Sequence, residues 1–447
     1  MPTGRRLAML MLVLAIVGTP AVALRVLCAG RACDAGATTG AVVPFCGLPA
    51  ALRSEIVAGY REGRSPDVMA TTSDLDVVST DMPNGGGRIP WPGISGSAGP
   101  EMRVPIAFLG QGVRRDTMPS GVTLDAIAPT LERIIGLRRE HPEVRTGEAI
   151  PGLVEPGGPA TPLIVVVAWR GLGTPDLERA PDSWPFLQGA LRRGTGSVDA
   201  TTGSLPLDPA ATLTTIGTGA LPSSHGITGT LVRENDGRVS GAWSTPDAGS
   251  VIATFADDLD RAASERARVA AIVTGPADRG IIGSGWYLDA PRDDAVVETR
   301  AGARGPAARV ADITARLHLG SDRVTDVLAV VLSGPLERVD TDTAAIVAAV
   351  DRRVPDAVFV VAGTGSPRTA AGVDASELGT TIEEAIGADV VLAISAGGLF
   401  LDREVMIARS ITSDRVADAM RSRRAPTGGP LFVDTYPSFA VAFSRYC

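Results

Sequence analysis

The sequence contains no lysine, only three histidines and few aromatic residues. All 42 basic residues are therefore arginine, and aromatic residues make up 4% of the 447 positions. So low an aromatic content excludes an extended stacking surface for single-stranded nucleic acid. The formal net charge of −8 argues against the basic surface that a phosphate backbone requires, so we expect no nucleic-acid partner.

The chain has the composition of a folded protein. It is 45% hydrophobic and 21% charged, which excludes wholesale disorder. One hydrophobic core usually serves up to roughly 250–300 residues. We therefore expect either two domains or one core with a large insertion.

Long apolar runs are absent except at the amino terminus. There Arg5 and Arg6 precede an apolar run over 7–17, and a small-residue triplet ends at Ala23. This is the layout of a signal peptide over residues 1–23, although the apolar stretch through residues 7–27 would also serve as an uncleaved membrane anchor. A glycine and a proline interrupt the run, which favours cleavage. Both alternatives predict a protein that is secreted or anchored to the outer face of the cytoplasmic membrane.

Four cysteines, Cys28, Cys33, Cys46 and Cys447, would lie in a compartment where disulfides persist. All four are candidates for disulfides, and three connectivities are possible. Metal binding is the alternative, but no second cysteine pair and no nearby histidine completes a zinc site.

Aliphatic runs alternate with helical patterns through the centre of the chain. The strand-like runs are 163–168, 269–273, 327–332 and 358–362, and helical stretches include 251–266 and 341–353. This alternation predicts an α/β fold with strands buried on both faces. Upstream, a further strand is predicted at 104–109, and a helix over 126–137 that Asp125 is expected to cap.

Five segments resemble, in the same order, the alkaline phosphatase superfamily, specifically its type I phosphodiesterase/nucleotide pyrophosphatase branch. Thr218–Ile227 resembles the TG-x-x-P-x-x-HGI signature of that branch. The other four segments are Leu163–Gly173, Ala270–Leu288, Val358–Gly365 and Gly397–Met420. The resemblance implies a three-layer α/β sandwich with a mostly parallel central sheet and a smaller α+β cap.

Pieces that normally follow the cap in this family come first in this chain. They are Arg64–Val68, Val104–Gly110 and Asp125–Leu131. The chain therefore looks circularly permuted, and a degenerate tandem copy is the alternative. Permutation would make Cys46 and Cys447 neighbours, and a disulfide between them would close the ring. The predicted organisation is a linker at 24–45, the permuted C-terminal portion at 46–150, a second linker at 151–162, the main core at 163–365 and the cap segment at 366–447.

The family's two zinc ions and hydroxyl nucleophile have no counterparts among the matching residues. Arg170 stands where an aspartate ligand is expected, and Pro209 stands where the nucleophile is expected, with Thr212 as the nearest hydroxyl. Gly363 and Thr364 replace an Asp-His pair, Ala98 replaces the last ligand histidine, and no histidine follows the strand that ends at residue 333. The resemblance therefore implies a vestigial site with no metal, no cofactor and no catalytic residue.

The three histidines are too scattered to rebuild a two-zinc centre. His225 belongs to the HGI turn, which is structural in the family, and His141 and His318 are expected at the surface.

The role of Arg170 has two interpretations. With Thr212 and Thr364 it would form an anion-binding site, because a guanidinium suits phosphate or carboxylate. Alternatively, it pairs with a nearby carboxylate such as Asp208. We therefore expect a non-catalytic envelope protein with a binding or scaffolding role, whose partner is an unknown protein or a small anionic ligand, with the membrane contacted through 7–27. The rivals are a metal-dependent phosphodiesterase or phosphatase with relocated ligands, and a metal-free hydrolase using Thr212 or Ser333.

Overall fold

The computed structural model describes residues 44–72, 78–79, 100–154, 161–287, 296–298, 305–366, 373–424 and 428–447. The predicted signal peptide or anchor, most of the first linker, Cys28, Cys33 and Ala98 therefore lie outside the described residues. Among the described helices, none combines the length and the hydropathy needed to cross a bilayer.

The strands in chain order are β1 Val68–Thr72, β2 Val78–Ser79, β3 Arg103–Gly110, β4 Leu163–Arg170, β5 Thr195–Thr201, β6 Leu231–Arg233, β7 Val239–Gly241, β8 Val269–Val273, β9 Val296–Glu298, β10 Asp326–Ser333, β11 Val358–Gly363, β12 Val373–Asp374, β13 Val391–Ser395, β14 Gly398–Leu401 and β15 Phe432–Pro437. The α-helices are α1 Ala50–Gly59, α2 Ile127–Ile135, α3 Thr174–Arg179, α4 Pro185–Arg193, α5 Pro209–Thr218, α6 Pro222–His225, α7 Phe255–Ala262, α8 Pro306–Arg316, α9 Leu336–Asp351, α10 Ala375–Ile386, α11 Arg403–Ala408, α12 Ser413–Arg421 and α13 Ser438–Ala442.

The main sheet has seven strands within the described residues, in the order β5-β3-β11-β4-β10-β8-β9. The five strands from β11 to β9 are parallel, and β3 runs antiparallel to both of its neighbours. The predicted mostly parallel α/β sheet is therefore confirmed. The early segment that contains β3 contributes a strand to the interior of this sheet, between β5 and β11.

The sheet is covered by helices on both faces, which makes the main body three layers thick. Alternate residues of a strand face opposite sides, so Ile164, Val166 and Ala168 join one buried cluster with side chains of α2, α5 and α7. Val165, Val167 and Trp169 join the other, with side chains of α4, α8 and α9. This two-faced burial explains why β4 is an unbroken apolar run. Each fully buried Val or Leu contributes about 1.5–3 kcal/mol.

A smaller α+β unit contains the second described sheet, in the order β13-β14-β1-β15. The helices α10 and α12 pack against it through side chains such as Leu378, Ile382, Val416 and Met420. The early strand β1 pairs antiparallel with both β14 and β15. The predicted smaller α+β cap is therefore present, and it draws one strand from residues 46–150.

Asp125 does not cap the helix that follows it, which corrects the sequence prediction. A 3-10 turn over Leu124–Ala126 precedes α2, whose N-cap position is Ala126 without a side-chain cap. The Asp125 carboxylate instead accepts hydrogen bonds from the hydroxyls of Thr123 and Thr146. The nearby hydroxyl groups compete successfully with the helix N–H groups for this side chain.

Cys46 and Cys447 form a disulfide, which confirms the pairing expected from the sequence. Their Cα atoms are 5.2 Å apart although 401 residues separate them in sequence. Beside the disulfide, Phe45 is fully buried and packs edge-on against Tyr436, with ring centroids 5.0 Å apart. The first and the last of the described residues are therefore joined by a covalent bond and by apolar packing.

Candidate functional site

The carboxyl edge of the parallel strands brings several predicted residues together. Arg170 ends β4, and Ser333 ends the neighbouring β10 directly opposite it. Thr364 follows β11, and Thr274 follows β8. Because α/β sheets place their sites outside the carboxyl ends of the strands, this edge is the candidate site.

Arg170 forms a nearly buried ion pair with Asp278 across this edge. Its Nε donates to Asp278 Oδ1 over 3.0 Å, and the two side chains are 14% and 1% exposed. The second carboxylate oxygen, Oδ2, accepts from the backbone N–H of Thr274 over 3.1 Å and from its hydroxyl. Arg170 therefore pairs with a nearby carboxylate, as one of the two interpretations predicts, and this carboxylate is Asp278, whereas Asp208 was the example given.

Close backbone packing holds Asp278 in place. It lies in the 3-10 segment Pro276–Ile281, which packs along α5. At this contact a Cβ on Gly217 would lie 2.3 Å from the carbonyl oxygen of Gly280, and a Cβ on Gly280 would lie 1.9 Å from Thr214 Oγ1. Only glycine fits at these two positions, so the pair of glycines sets the distance between α5 and the Asp278 segment.

The amino terminus of α5 carries the residues at the expected nucleophile position. Pro209 is the first residue of the helix, and the Asp208 carboxylate caps it by accepting from the N–H of Ala210 over 2.8 Å. Asp208 also accepts from the N–H of Thr230 over 2.8 Å. Burial raises the pKa of the Asp208 carboxyl, while these two N–H groups and the nearby charge of Arg170 oppose the increase. Asp208 thus has a capping role.

Thr212 lies one turn into α5 and is only 6% exposed. Its hydroxyl donates to the backbone carbonyl of Asp208 over 2.9 Å, the usual local bond of a threonine inside a helix. Among the described hydrogen bonds, none joins this hydroxyl to an imidazole or a carboxylate that would act as its base. Thr212 therefore lies close to the expected nucleophile position but in a structural hydrogen bond.

Gly363 and Thr364 close the edge beside Arg170. The Thr364 hydroxyl accepts from the N–H of Gly171 over 2.8 Å and donates to the carbonyl of Trp169 over 3.3 Å. A Cβ on Gly363 would lie 2.6 Å from the carbonyl oxygen of Leu172. These two residues therefore hold the loop after β4 against the end of β11. Thr364 is buried, with 2% of its surface exposed.

The residues at this edge do not fit the two zinc ions that the sequence resemblance implies. Zinc in proteins is held by carboxylates, imidazoles and thiolates, whereas Arg170 brings a positive charge and Pro209, Gly363 and Thr364 bring no such ligand. The Asp278 carboxylate is in direct contact with Arg170 and is paired with that cation. Within the described ranges, no group of three or more His, Cys, Asp or Glu residues is arranged to hold a metal.

His225 is a structural residue of its turn, as predicted. The side chain is fully buried; its Nδ1 accepts from the N–H of Ile227 over 3.1 Å, and its Nε2 lies 3.1 Å from Thr215 Oγ1. Burial is the main reason that the pKa of His225 falls to about 3, and the charge of Arg61 adds to the effect. His141 and His318 are exposed, also as predicted.

Asp278 is the residue that sequence reasoning did not assign to the site. The sequence feature that could have identified Asp278 is its position five residues after β8. It lies in the segment Ala270–Leu288, which resembles a K-D-R motif of the family. The pairing itself joins residues 108 positions apart, which no local pattern reports.

No protein-family profile and no curated protein matches the sequence. Among solved structures, the fold is similar to the alkaline phosphatase PafA, with 15% sequence identity and a TM-score of 0.43 over 59% of this chain and 76% of that enzyme. A variant of the same phosphatase with four substitutions gives 15% identity and a TM-score of 0.42, over 58% of this chain and 76% of the variant.

Proposed function

We propose that this protein is a non-catalytic, alkaline-phosphatase-like protein of the cell envelope with a binding or scaffolding role. The sequence motifs support the superfamily and its type I phosphodiesterase/nucleotide pyrophosphatase branch, and the α/β sandwich is the architecture they imply. The scaffold is retained, and the chemical groups of the expected site are replaced by structural ones.

One observation carries this proposal: the Arg170–Asp278 ion pair occupies the edge where hydrolysis would require metal ligands. Bringing a divalent cation beside Arg170 would place two cations, with three positive charges in total, together in a largely buried site, which is strongly unfavourable. Nearby hydroxyls are also engaged, since Thr212 and Thr364 bond to backbone groups. The charged and hydroxyl groups named here at the carboxyl edge of the sheet are therefore bonded to one another or to the backbone.

Anion binding at this edge is the weaker form of the proposal. An incoming phosphate or carboxylate would meet a guanidinium whose positive charge is already balanced by Asp278, to which Nε donates. We therefore favour a role in which other surfaces of the protein bind the partner.

The disulfide and the order of the motifs support the remaining parts of the proposal. A Cys46–Cys447 bond is typical of proteins exported from the cytoplasm. The same bond, together with the position of β3 inside the main sheet, supports circular permutation of the family fold. Adjacent termini are what permit such a rearrangement.

Hydrolysis assays on the full chain incubated with zinc test the proposal, with an aryl phosphate monoester and an aryl phosphate diester as substrates. We expect no turnover above that of T212A, and no effect of a chelator. Turnover that a chelator abolishes would instead establish relocated metal ligands. Turnover that T212A abolishes but a chelator does not would establish a metal-free hydrolase.

A further inference from the structure

Three aromatic side chains form an exposed stripe close to Cys447. Phe439, Phe443 and Tyr446 are 53%, 55% and 66% exposed. They follow one another at intervals of four and three residues through α13 and the 3-10 turn Ser444–Tyr446, a spacing that places side chains on one helical face. The rings of Phe443 and Tyr446 have centroids 6.1 Å apart. We refer to these three residues as the aromatic stripe.

The aromatic stripe is not needed to hold this segment on the protein. The opposite side of α13 supplies Val441, which is 1% exposed, and Ala440, and both pack in the cluster that contains Phe45 and Tyr436. Four aromatic residues of the described part of the chain are exposed, and three of them are in the stripe. Single exposed apolar residues are ordinary, but a contiguous group indicates an interaction surface.

The stripe lies beside the point where the upstream sequence enters the described structure. Tyr446 is adjacent to Cys447, which is bonded to Cys46, and the described residues begin at Pro44. The apolar segment 7–27 is connected to Pro44 by residues 28–43. Sixteen residues span at most about 55 Å in any conformation. A membrane that held residues 7–27 would therefore be within that distance of Pro44, and the stripe is close to Pro44 through the Cys46–Cys447 bond.

We propose that the aromatic stripe docks onto the lipid bilayer next to the point where the chain is attached. This rests on the envelope location in the proposed function, in the anchored form in which residues 7–27 are retained and not cleaved. Tyr446 suits the membrane–water interface, where its ring is buried and its hydroxyl stays hydrated, and Phe439 and Phe443 supply apolar rings that the acyl boundary buries. Arg445 adds a cation that suits anionic headgroups, and its guanidinium carbon lies 4.9 Å from the Tyr446 ring centroid. Attachment through 7–27 raises the effective concentration of the stripe at the bilayer, so a small contact suffices.

Tryptophan fluorescence of the full chain in vesicles tests this proposal. The vesicles contain phosphatidylcholine and phosphatidylglycerol with brominated acyl chains. The wild type contains five native tryptophans, and its emission under the same conditions is subtracted from that of each tryptophan variant. The F443W emission should be quenched and blue-shifted, because an interfacial side chain lies about 5–10 Å into the headgroup and acyl boundary. The matched control is I407W at an 80% exposed position on α11, whose emission should be unaffected.

Equal emission of F443W and I407W in vesicles that carry the protein would overturn the docking proposal. Protection of F443W from acrylamide in the lipid-free chain would also overturn it, because the stripe would then be covered by protein. Flotation with vesicles separates this failure from a failure of the envelope location: F439S/F443S/Y446S should still float if residues 7–27 anchor the chain. If the wild type does not float, both the docking and the anchored location are wrong.

Discussion

Removing the positive charge of Arg170 should destabilise the protein far more than removing an exposed arginine. Arg170→Met retains most of the side-chain volume but leaves the Asp278 carboxylate, which is 1% exposed, without its cation. Breaking a buried pair in this way typically costs about 3–5 kcal/mol. Because Thr274 still donates to Asp278 through its N–H and hydroxyl groups, we expect a value of about 3 kcal/mol.

Arg103 supplies the matched control within the same chain. It also pairs with two carboxylates, Glu178 and Asp199, but is 31% exposed and its partners are 56% and 66% exposed. The R103M variant should lose less than about 1 kcal/mol, as exposed ion pairs usually do.

Denaturant unfolding of R170M, D278N and the double variant measures the interaction directly. The double variant should recover most of the loss, because it removes both charges from the buried edge, and the cycle then reports the coupling energy. A loss below about 1 kcal/mol in R170M, equal to that of R103M, would refute the reasoning that an ion pair holds this edge together.

Three further predictions concern parts of the fold away from the ion pair. The pKa of His225 is lowered to about 3 from 6.5, so the folded state binds fewer protons than the unfolded state between these values, and the free energy of unfolding should fall by about 4–5 kcal/mol as the pH decreases through that window. Unfolding measured as a function of pH should show this slope in the wild type and lose it in H225N. An equal slope in both proteins would contradict the prediction. Non-reducing peptide mapping should find Cys46 linked to Cys447. The free energy of unfolding of C46S/C447S should be lower by about 2–5 kcal/mol, because the bond closes a very long loop. Free thiols at both positions, or an unchanged free energy of unfolding, would contradict this prediction. A rearranged chain, opened within 151–162 and with 447 joined to 46 by a short linker, should fold with circular dichroism like that of the wild type, whereas aggregation of this form alone would argue against permutation.

The sequence predicts the main sheet well because its strands are buried on both faces. Continuous aliphatic runs such as 163–168 can be recognised without knowledge of their neighbours, and β4 extends this run by only two residues, to Arg170. The strand β13 is harder to recognise, since its residues are only partly buried or exposed. The proximity of Cys46 and Cys447 was predicted from the family resemblance and not from local patterns, and the order of the strands in the sheet was not predicted.

The candidate site was predicted less completely, for a physical reason. Sequence reasoning could state which side chains were unsuited to zinc, because that depends on residue type alone. The identity of the partner of Arg170 depends on where α5 places the segment of Asp278, through the contact of Gly217 with Gly280. The displaced cap of α2 has a similar origin, because Thr146, which binds Asp125, lies 21 residues away in sequence.

The most direct test of the account is the zinc content of the purified full chain after dialysis against excess zinc and removal of unbound metal. We predict far less than one tightly bound ion per chain, with no difference between the wild type and D278N, since the carboxyl edge of the sheet is closed by Arg170 and Asp278. Retention of about two zinc ions per chain, the number that a binuclear hydrolase requires, with loss of metal in D278N would contradict the central claim.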